Sequence, residues 1–205
     1  MNVQPTVFPR IDRVLLTDGA TPRVWRPLPY EDGCLPEEQA YLLLSILIAA
    51  NPSEVLEIGT FFGHTALRMA ENLPDAVIHT VDLPLDFSAA AAPAKLPKTD
   101  WHLITRRDVG GLFINQPAAK RIIQHFGDTG DWDFTKAGHP TFFYIDGSHS
   151  YEYVKNDSEK CFQLCNGKGV FVWHDLDDAH PGVGELLKEW RALGRDIRKI
   201  EDFPL

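Results

Sequence analysis

Three short stretches of this sequence carry residue types that can do chemistry together. The first is EVLEIGTFFGHT, residues 54–65, an apolar run that ends at Glu57 and breaks into a loop holding Gly59 and Gly63 before Thr65 can open a helix. Glycines let a backbone approach a ligand closely, and the carboxyl end of a parallel strand is where open α/β sheets bind ligands. That pattern predicts a site for a small adenosine-bearing molecule. The second is HTVDLP, which sets Asp82 at the end of the next apolar run. The third pairs TFFYID with GVFVWHD, so that Asp146 and Asp175 each end a buried run and His149 stands three residues beyond Asp146. Carboxylates and an imidazole gathered at one edge can serve as an acid, a base or a metal cluster.

These residues need a scaffold, and the pattern around them supplies one. A helix is expected from Pro36 to Ala50, with proline at its start, glutamates in its first turn and Asn51–Pro52 as a stop. A strand (EVLEIG), a helix from Thr65 to Asn72 and a strand (AVIHTVDL) follow. Residues 84–100 are too rich in alanine and proline for a firm element, and WHLITRR is a candidate extended segment. A glycine pair at Gly110–Gly111, a short helix and the strand RIIQHFGD come next. Then come the strand at 141–145, a helix over Tyr151–Cys165, the strand GVFVWH, a helix over Pro181–Leu193 and a last strand in DIRKIED. Continuous apolar strands alternating with helices specify an α/β fold, a mostly parallel sheet covered on both faces. Residues 1–35 form an N-terminal segment, read as a short hairpin or a lid, and residues 36–205 form the main domain.

Bulk composition narrows the function classes. The chain has 205 residues, 44% hydrophobic and 24% charged, enough for one sizeable core. A net charge of −9 without a lysine or arginine cluster argues against a nucleic-acid partner. The opening MNVQPTVFPRIDR has no apolar stretch behind a basic start, so a cytoplasmic protein without a membrane partner is expected. Cys34, Cys161 and Cys165 read as buried thiols, because CFQLC lacks zinc-knuckle spacing.

A dinucleotide loop would need GxGxxG, and its middle position here is Phe61. With Glu57, Gly59, Gly63 and Asp82 in place, the chain instead resembles class I S-adenosylmethionine-dependent methyltransferases, and EIGTFFGHT is similar to the EIGxxxGxS/T signature of small-molecule O-methyltransferases. IDGSHSYEYVKND followed by GKGVFVWHD resembles the branch whose fourth strand ends in DGxHxY, which includes sugar and antibiotic O-methyltransferases. The resemblance covers residues 36–200 and implies a single-domain Rossmann-like class I methyltransferase fold. It also implies an enzyme that binds S-adenosylmethionine and methylates a hydroxyl of a small-molecule acceptor such as a sugar, phenol or natural-product intermediate.

The resemblance implies roles residue by residue. Glu57 would contact the methionine amino group, directly or through water, with Gly59, Thr60, Phe61, Gly63 and Thr65 forming the loop. Asp82 would accept both ribose hydroxyls, since two acceptor oxygens match two neighbouring donors. Asp128 and Thr129 would lie by the adenine, with Trp132 or Phe134 covering the ring. Asp146 and His149 are the candidate catalytic pair, with Asp146 also facing the cofactor; Asp146 and Asp175 are the candidate ligands for Mg2+ or another divalent metal, with His174 or Asp177 as extra contacts. Some metal-using relatives carry a carboxylate where His174 stands.

Elsewhere a functional and a blander reading stand side by side: His64 touching the cofactor carboxylate or a solvent-facing helix start, Asp177 and Asp178 binding metal or complementing a helix dipole, Tyr151 and Tyr153 lining a substrate pocket or packing, and Arg106 and Arg107 holding an anionic substrate group or solvated; Trp173 reads as core. Two further readings of the whole chain are a non-catalytic S-adenosylmethionine-binding protein and a nicotinamide-dependent oxidoreductase. Family members finish with an antiparallel hairpin, and IRKIEDFPL allows one strand of it. The sheet edge would then be left short, or be covered by the N-terminal segment or by another subunit in a homodimer.

Overall fold

The computed structural model describes residues 10–11, 16–87, 104 and 108–200. Most of the alanine-rich loop, WHLITRR apart from Ile104, and Arg106 and Arg107 therefore lie outside the described residues. The elements run β1 (Arg10–Ile11), α1 (Glu37–Ala50), β2 (Glu54–Ile58), α2 (His64–Asn72), β3 (Val77–Asp82), β4 (Ile122–Phe126), β5 (Phe142–Ile145), α3 (Tyr151–Leu164), β6 (Val170–Trp173), α4 (Pro181–Ala192) and β7 (Lys199–Ile200). Five strands form one sheet in the order β4-β3-β2-β5-β6, every neighbouring pair parallel.

That order creates the site. From β2 the chain steps outward to β3 and β4, then returns to β5 on the other side of β2. The switch point between β2 and β5 is where an open sheet leaves a crevice at its carboxyl edge. All five strands end at that edge, with Asp82 closing β3 and the 59–63 loop, Asp128, Asp146 and Asp175 following β2, β4, β5 and β6.

Burial on both faces explains why the strands read as unbroken apolar runs. One face carries Val55, Ile78, Phe142 and Tyr144 against Leu43 and Leu47 of α1 and Leu67 and Met69 of α2. The other carries Leu56, Ile58, Val81, Phe143 and Ile145 against Trp132, Phe134 and Cys161. Leu47 is 0% exposed, so Leu47→Ala is expected to cost about 2–5 kcal/mol. Helix α1 ends where Asn51 turns left-handed at φ 44°, and Pro52 blocks continuation. Leu186, Leu187 and Trp190 of α4 pack with Val154 of α3 in a third cluster.

The expected short helix before β4 is a 3-10 turn at Pro117–Arg121, whose proline suits a first-turn position. Among the described residues the expected last strand is Lys199–Ile200. It does not join the main sheet; it pairs in parallel with β1, so the N-terminal segment meets the chain end in a separate two-stranded piece. Among the described residues β6 is thus an edge strand, with Val170 exposed. No helix among them is long and apolar enough to cross a membrane.

Candidate active site

A polar row crosses the sheet beneath the glycine loop. Gln124, Thr80, Glu57 and Tyr144 are register partners on β4, β3, β2 and β5. The Thr80 hydroxyl donates to Glu57 Oε2, the Thr60 and Thr80 hydroxyl oxygens lie 2.7 Å apart, and Gln124 Nε2 donates to Thr60 Oγ1 at 3.0 Å. Because Thr80 gives its proton to Glu57, Thr60 must donate to Thr80. At the far end the Tyr144 hydroxyl donates to Asp146 Oδ2 at 2.8 Å. Burial pushes the Glu57 carboxyl well above its ordinary range, against the Thr80 hydrogen bond. Its Oε1 is buried without a hydrogen-bond partner among the described residues.

Above that row the loop is shaped by left-handed backbone. Gly59 has φ 95°, and a Cβ there would lie 2.1 Å from the carbonyl oxygen of Asp146, so only glycine lets β2 and β5 part this closely. Phe61 takes φ 48°. A bulky residue in that region is strained and must be held. Asp82 holds it: Oδ2 accepts the N–H of Thr60 at 2.9 Å and of Phe61 at 2.8 Å, and Oδ1 accepts that of Leu83 at 2.7 Å. Burial raises the Asp82 carboxyl, and the three N–H donors work against the rise. A Cβ at Gly63 would strike the Phe113 ring at 2.5 Å, which fixes that glycine by packing.

The loop and strand ends enclose a cavity of about 390 Å3, within the range of small-molecule sites, roughly 300–1,000 Å3. Its wall includes Gly59, Thr60, Phe61, Thr65 and Asp82 on one side, Asp128 and Thr129 beside them, and Asp146, His149 and Asp175 on the other. Two expected contacts are not on the wall: Glu57 lies beneath it and Gly63 behind it. Trp132 and Phe134 are not on it either; both are buried in the core. Tyr153 is, and its hydroxyl donates to Asp128 Oδ2 at 3.0 Å.

At the Asp146 side the charges are paired. His149 Nε2 lies 2.7 Å from Asp175 Oδ2. His174 Nδ1 lies 2.9 Å from the same oxygen and 3.2 Å from Asp146 Oδ1. Its Nε2 lies 2.7 Å from Gln39 Oε1 on α1. Burial works against charge on His174, yet the Asp146 and Asp175 carboxylates outweigh it and push its pKa up to about 10. Burial would raise Asp175, but His149 and His174 pull it far below the carboxylate range. Asp175 also takes φ 57°, a conformation aspartate tolerates better than most residues. Asp177 Oδ1 accepts the N–H groups of Ala179 and His180 ahead of α4, which gives it a structural task.

Sequence reasoning missed Gln39, Tyr144, Thr80 and Gln124. Each lies inside a segment whose apolar neighbours decide its element, and only register or a contact across 135 positions reveals its partner. Cys34 and His64, also on the wall, read in the sequence as two unrelated residues.

Known proteins share this architecture. The cofactor-bound structure of Rv0187 from MTB matches at 17% identity over 86% of this chain and 74% of that chain, TM-score 0.51, which speaks to the fold. SAH-bound PaMTH1 from Podospora anserina matches at 17% identity over 78% of this chain and 70% of that one, TM-score 0.49. The O-methyltransferase TomG from Streptomyces achromogenes, in complex with SAM, matches at 18% identity over 80% and 71%, TM-score 0.48. A family model for a methyltransferase domain matches residues 56–176. That span is more than half of the chain and runs from the strand feeding the glycine loop to just past Asp175, so this protein belongs to the methyltransferase domain family.

Proposed function

We propose that this protein is an S-adenosylmethionine-dependent methyltransferase that methylates a hydroxyl oxygen of a small molecule such as a sugar, phenol or natural-product intermediate. The observation that carries the reading is one cavity with two chemically different walls: a left-handed glycine loop clamped by Asp82, and a carboxylate–imidazole cluster opposite. The residues present fit the donor. Asp82 keeps acceptor capacity at Oδ1 for the ribose, the backbone of Gly59, Thr60 and Phe61 allows close passage, and Asp128 with Thr129 borders the adenine end. Glu57 acts from beneath, holding the loop through Thr80 and Thr60. When bound, the donor supplies a methyl group on a positively charged sulfur.

The chain's own residues prepare the acceptor. His149, whose Nε2 lies 2.7 Å from Asp175 Oδ2, is the base for the hydroxyl proton, and Asp175 steadies the resulting imidazolium. Asp146 is held by Tyr144 and His174, ready to orient the hydroxyl. Leu35, Ile58 and Val81 give the cavity an apolar part of its wall.

Magnesium does not fit these groups. It seeks oxygen ligands in an octahedron, whereas Asp146 Oδ1 and Asp175 Oδ2 both face His174 Nδ1, and Asp175 Oδ2 also faces His149 Nε2. The His174 ring stands between the two carboxylates, so a cation would have to displace it. Calorimetry with S-adenosylmethionine, S-adenosylhomocysteine and NAD tests the proposal: the two sulfur nucleotides are expected to bind and NAD is not. The opposite result would favour the oxidoreductase.

A further inference from the structure

Gln39 is a polar residue on the buried face of an apolar helix. It stands in the first turn of α1, where Ala40, Leu42 and Leu43 belong to the core, and it is buried with them. A buried amide costs stability unless it is hydrogen-bonded. Its Oε1 lies 2.7 Å from Nε2 of His174, a contact across 135 positions. Gln39 is not among the residues lining the cavity, and it precedes residues 56–176, the span that matches the family model. Its contact with the site runs through His174.

His174 is held from both ends of its ring. Its backbone N–H donates to the carbonyl oxygen of Ile145 at 3.2 Å, which fixes the residue beside the end of β5. Its Nδ1 lies 2.9 Å from Asp175 Oδ2 and 3.2 Å from Asp146 Oδ1. Carboxylate and amide oxygens accept hydrogen bonds and do not donate them, so the ring donates at both ends. A half-turn about the Cβ–Cγ bond would put ring carbons where the two nitrogens stand, and both ends would be lost together. The Gln39 oxygen therefore adds to the preference for the one orientation in which Nδ1 reaches both carboxylates. Two contacts carry the effect onward. Asp146 Oδ2 accepts from Tyr144, so His174 completes the hold on that carboxylate. Asp175 Oδ2 is shared between His174 and His149, whose Nε2 lies 2.7 Å from it.

We infer that Gln39 is a positioning residue of the acceptor side: from α1 it fixes the ring of His174, and through that ring the separation of Asp146 from Asp175 and the aim of His149. The inference rests on the methyl-transfer reading, in which His149 is the base for the acceptor hydroxyl. Gln39 acts through His174 rather than on the reacting atoms.

The test is proton NMR of the native full chain, with His174→Gln assigning the His174 Nδ1–H signal and His149→Gln assigning the His149 ring C–H. In Gln39→Leu, which suits an apolar helix, the His174 Nδ1–H is expected to exchange with water about tenfold faster, the size of effect that one lost hydrogen bond gives. The His149 ring signal is expected to move with it. Gln39→Met, closer in shape, is expected to match Gln39→Leu, and Gln39→Glu, which keeps an acceptor oxygen at the same reach, to retain slow exchange. Ser45→Ala removes another buried hydrogen-bonding group of α1, one bonded within the helix to the carbonyl oxygen of Tyr41, and is expected to change neither signal. A merely structural role would lower stability in Gln39→Leu and leave both signals in place, and that result overturns the inference. So does a parent whose His174 ring proton is unprotected. So does a His149 shift from Gln39→Leu that persists in a His174→Gln background, because the effect would then bypass His174. S-adenosylhomocysteine binding is measured on the same samples: binding without any response of His174 or His149 sinks this inference alone, and both responses in a protein that does not bind it sink the donor reading alone.

Discussion

Asp82 Oδ2 lies 2.8 Å from the backbone nitrogen of Phe61, and this contact joins the end of one strand to the strained residue in the loop after its neighbour. The carboxylate therefore shapes the loop as well as facing the cavity. Asp82→Ala leaves the N–H groups of Thr60 and Phe61 unpaired in a half-buried site, a loss of about 1–3 kcal/mol. S-adenosylhomocysteine affinity is expected to fall at least about tenfold, and wild-type affinity in a titration would refute the assignment.

Gly59 is expected to tolerate no side chain. Its φ is 95°, and an added methyl would come within 2.1 Å of the Asp146 carbonyl oxygen, so Gly59→Ala must push β2 and β5 apart. Denaturant unfolding should show a loss of more than about 2 kcal/mol, whereas Gly194→Ala, left-handed but with nothing within 4 Å, should lose less.

The glycine loop was legible because its residue types are demanded by backbone geometry: φ 95° at Gly59 and the packing at Gly63 leave little choice. Strand ends were legible for the same kind of reason, an apolar run stopping at an acid. What sequence could not show is sideways. Tyr144 reads as one more aromatic in TFFYI until register sets it beside Glu57, and Gln39 reads as a helix-surface residue until α1 packs over His174. The pairing of β7 with β1 was equally hidden, since two-residue strands have no periodicity to detect.

Asp157 gives a pH signature. Burial pushes its carboxyl up to about 7, against hydrogen bonds from Thr129 and Asn156, and Oδ2 has no hydrogen-bond partner among the described residues. A folded pKa above the unfolded value means the folded state holds the proton more tightly. The associated stability is complete below about pH 4 and is lost as pH rises to about 7, at most about 4 kcal/mol. Asp157→Asn keeps the shape without the titration. The difference in unfolding free energy between parent and variant should therefore shift in favour of the variant between pH 4 and 8; a constant difference would contradict the buried proton.

With an acceptor in hand, His149→Gln is expected to lower kcat about 100-fold or more while S-adenosylhomocysteine binds unchanged. Equal turnover would remove His149 as the base.

A chelator is expected to leave the methylation rate within about twofold, because the His174 ring holds the place between Asp146 and Asp175. A larger loss that added magnesium restores would reverse that conclusion.

The central claim is that the cavity between the Asp82-clamped loop and the Asp146 cluster holds a sulfonium nucleoside donor. Calorimetric titration of S-adenosylhomocysteine into the native chain tests it most directly. The account predicts saturable binding at one site per chain in the micromolar range or tighter, lost in Asp82→Ala; heats of dilution alone for both S-adenosylhomocysteine and S-adenosylmethionine would contradict it.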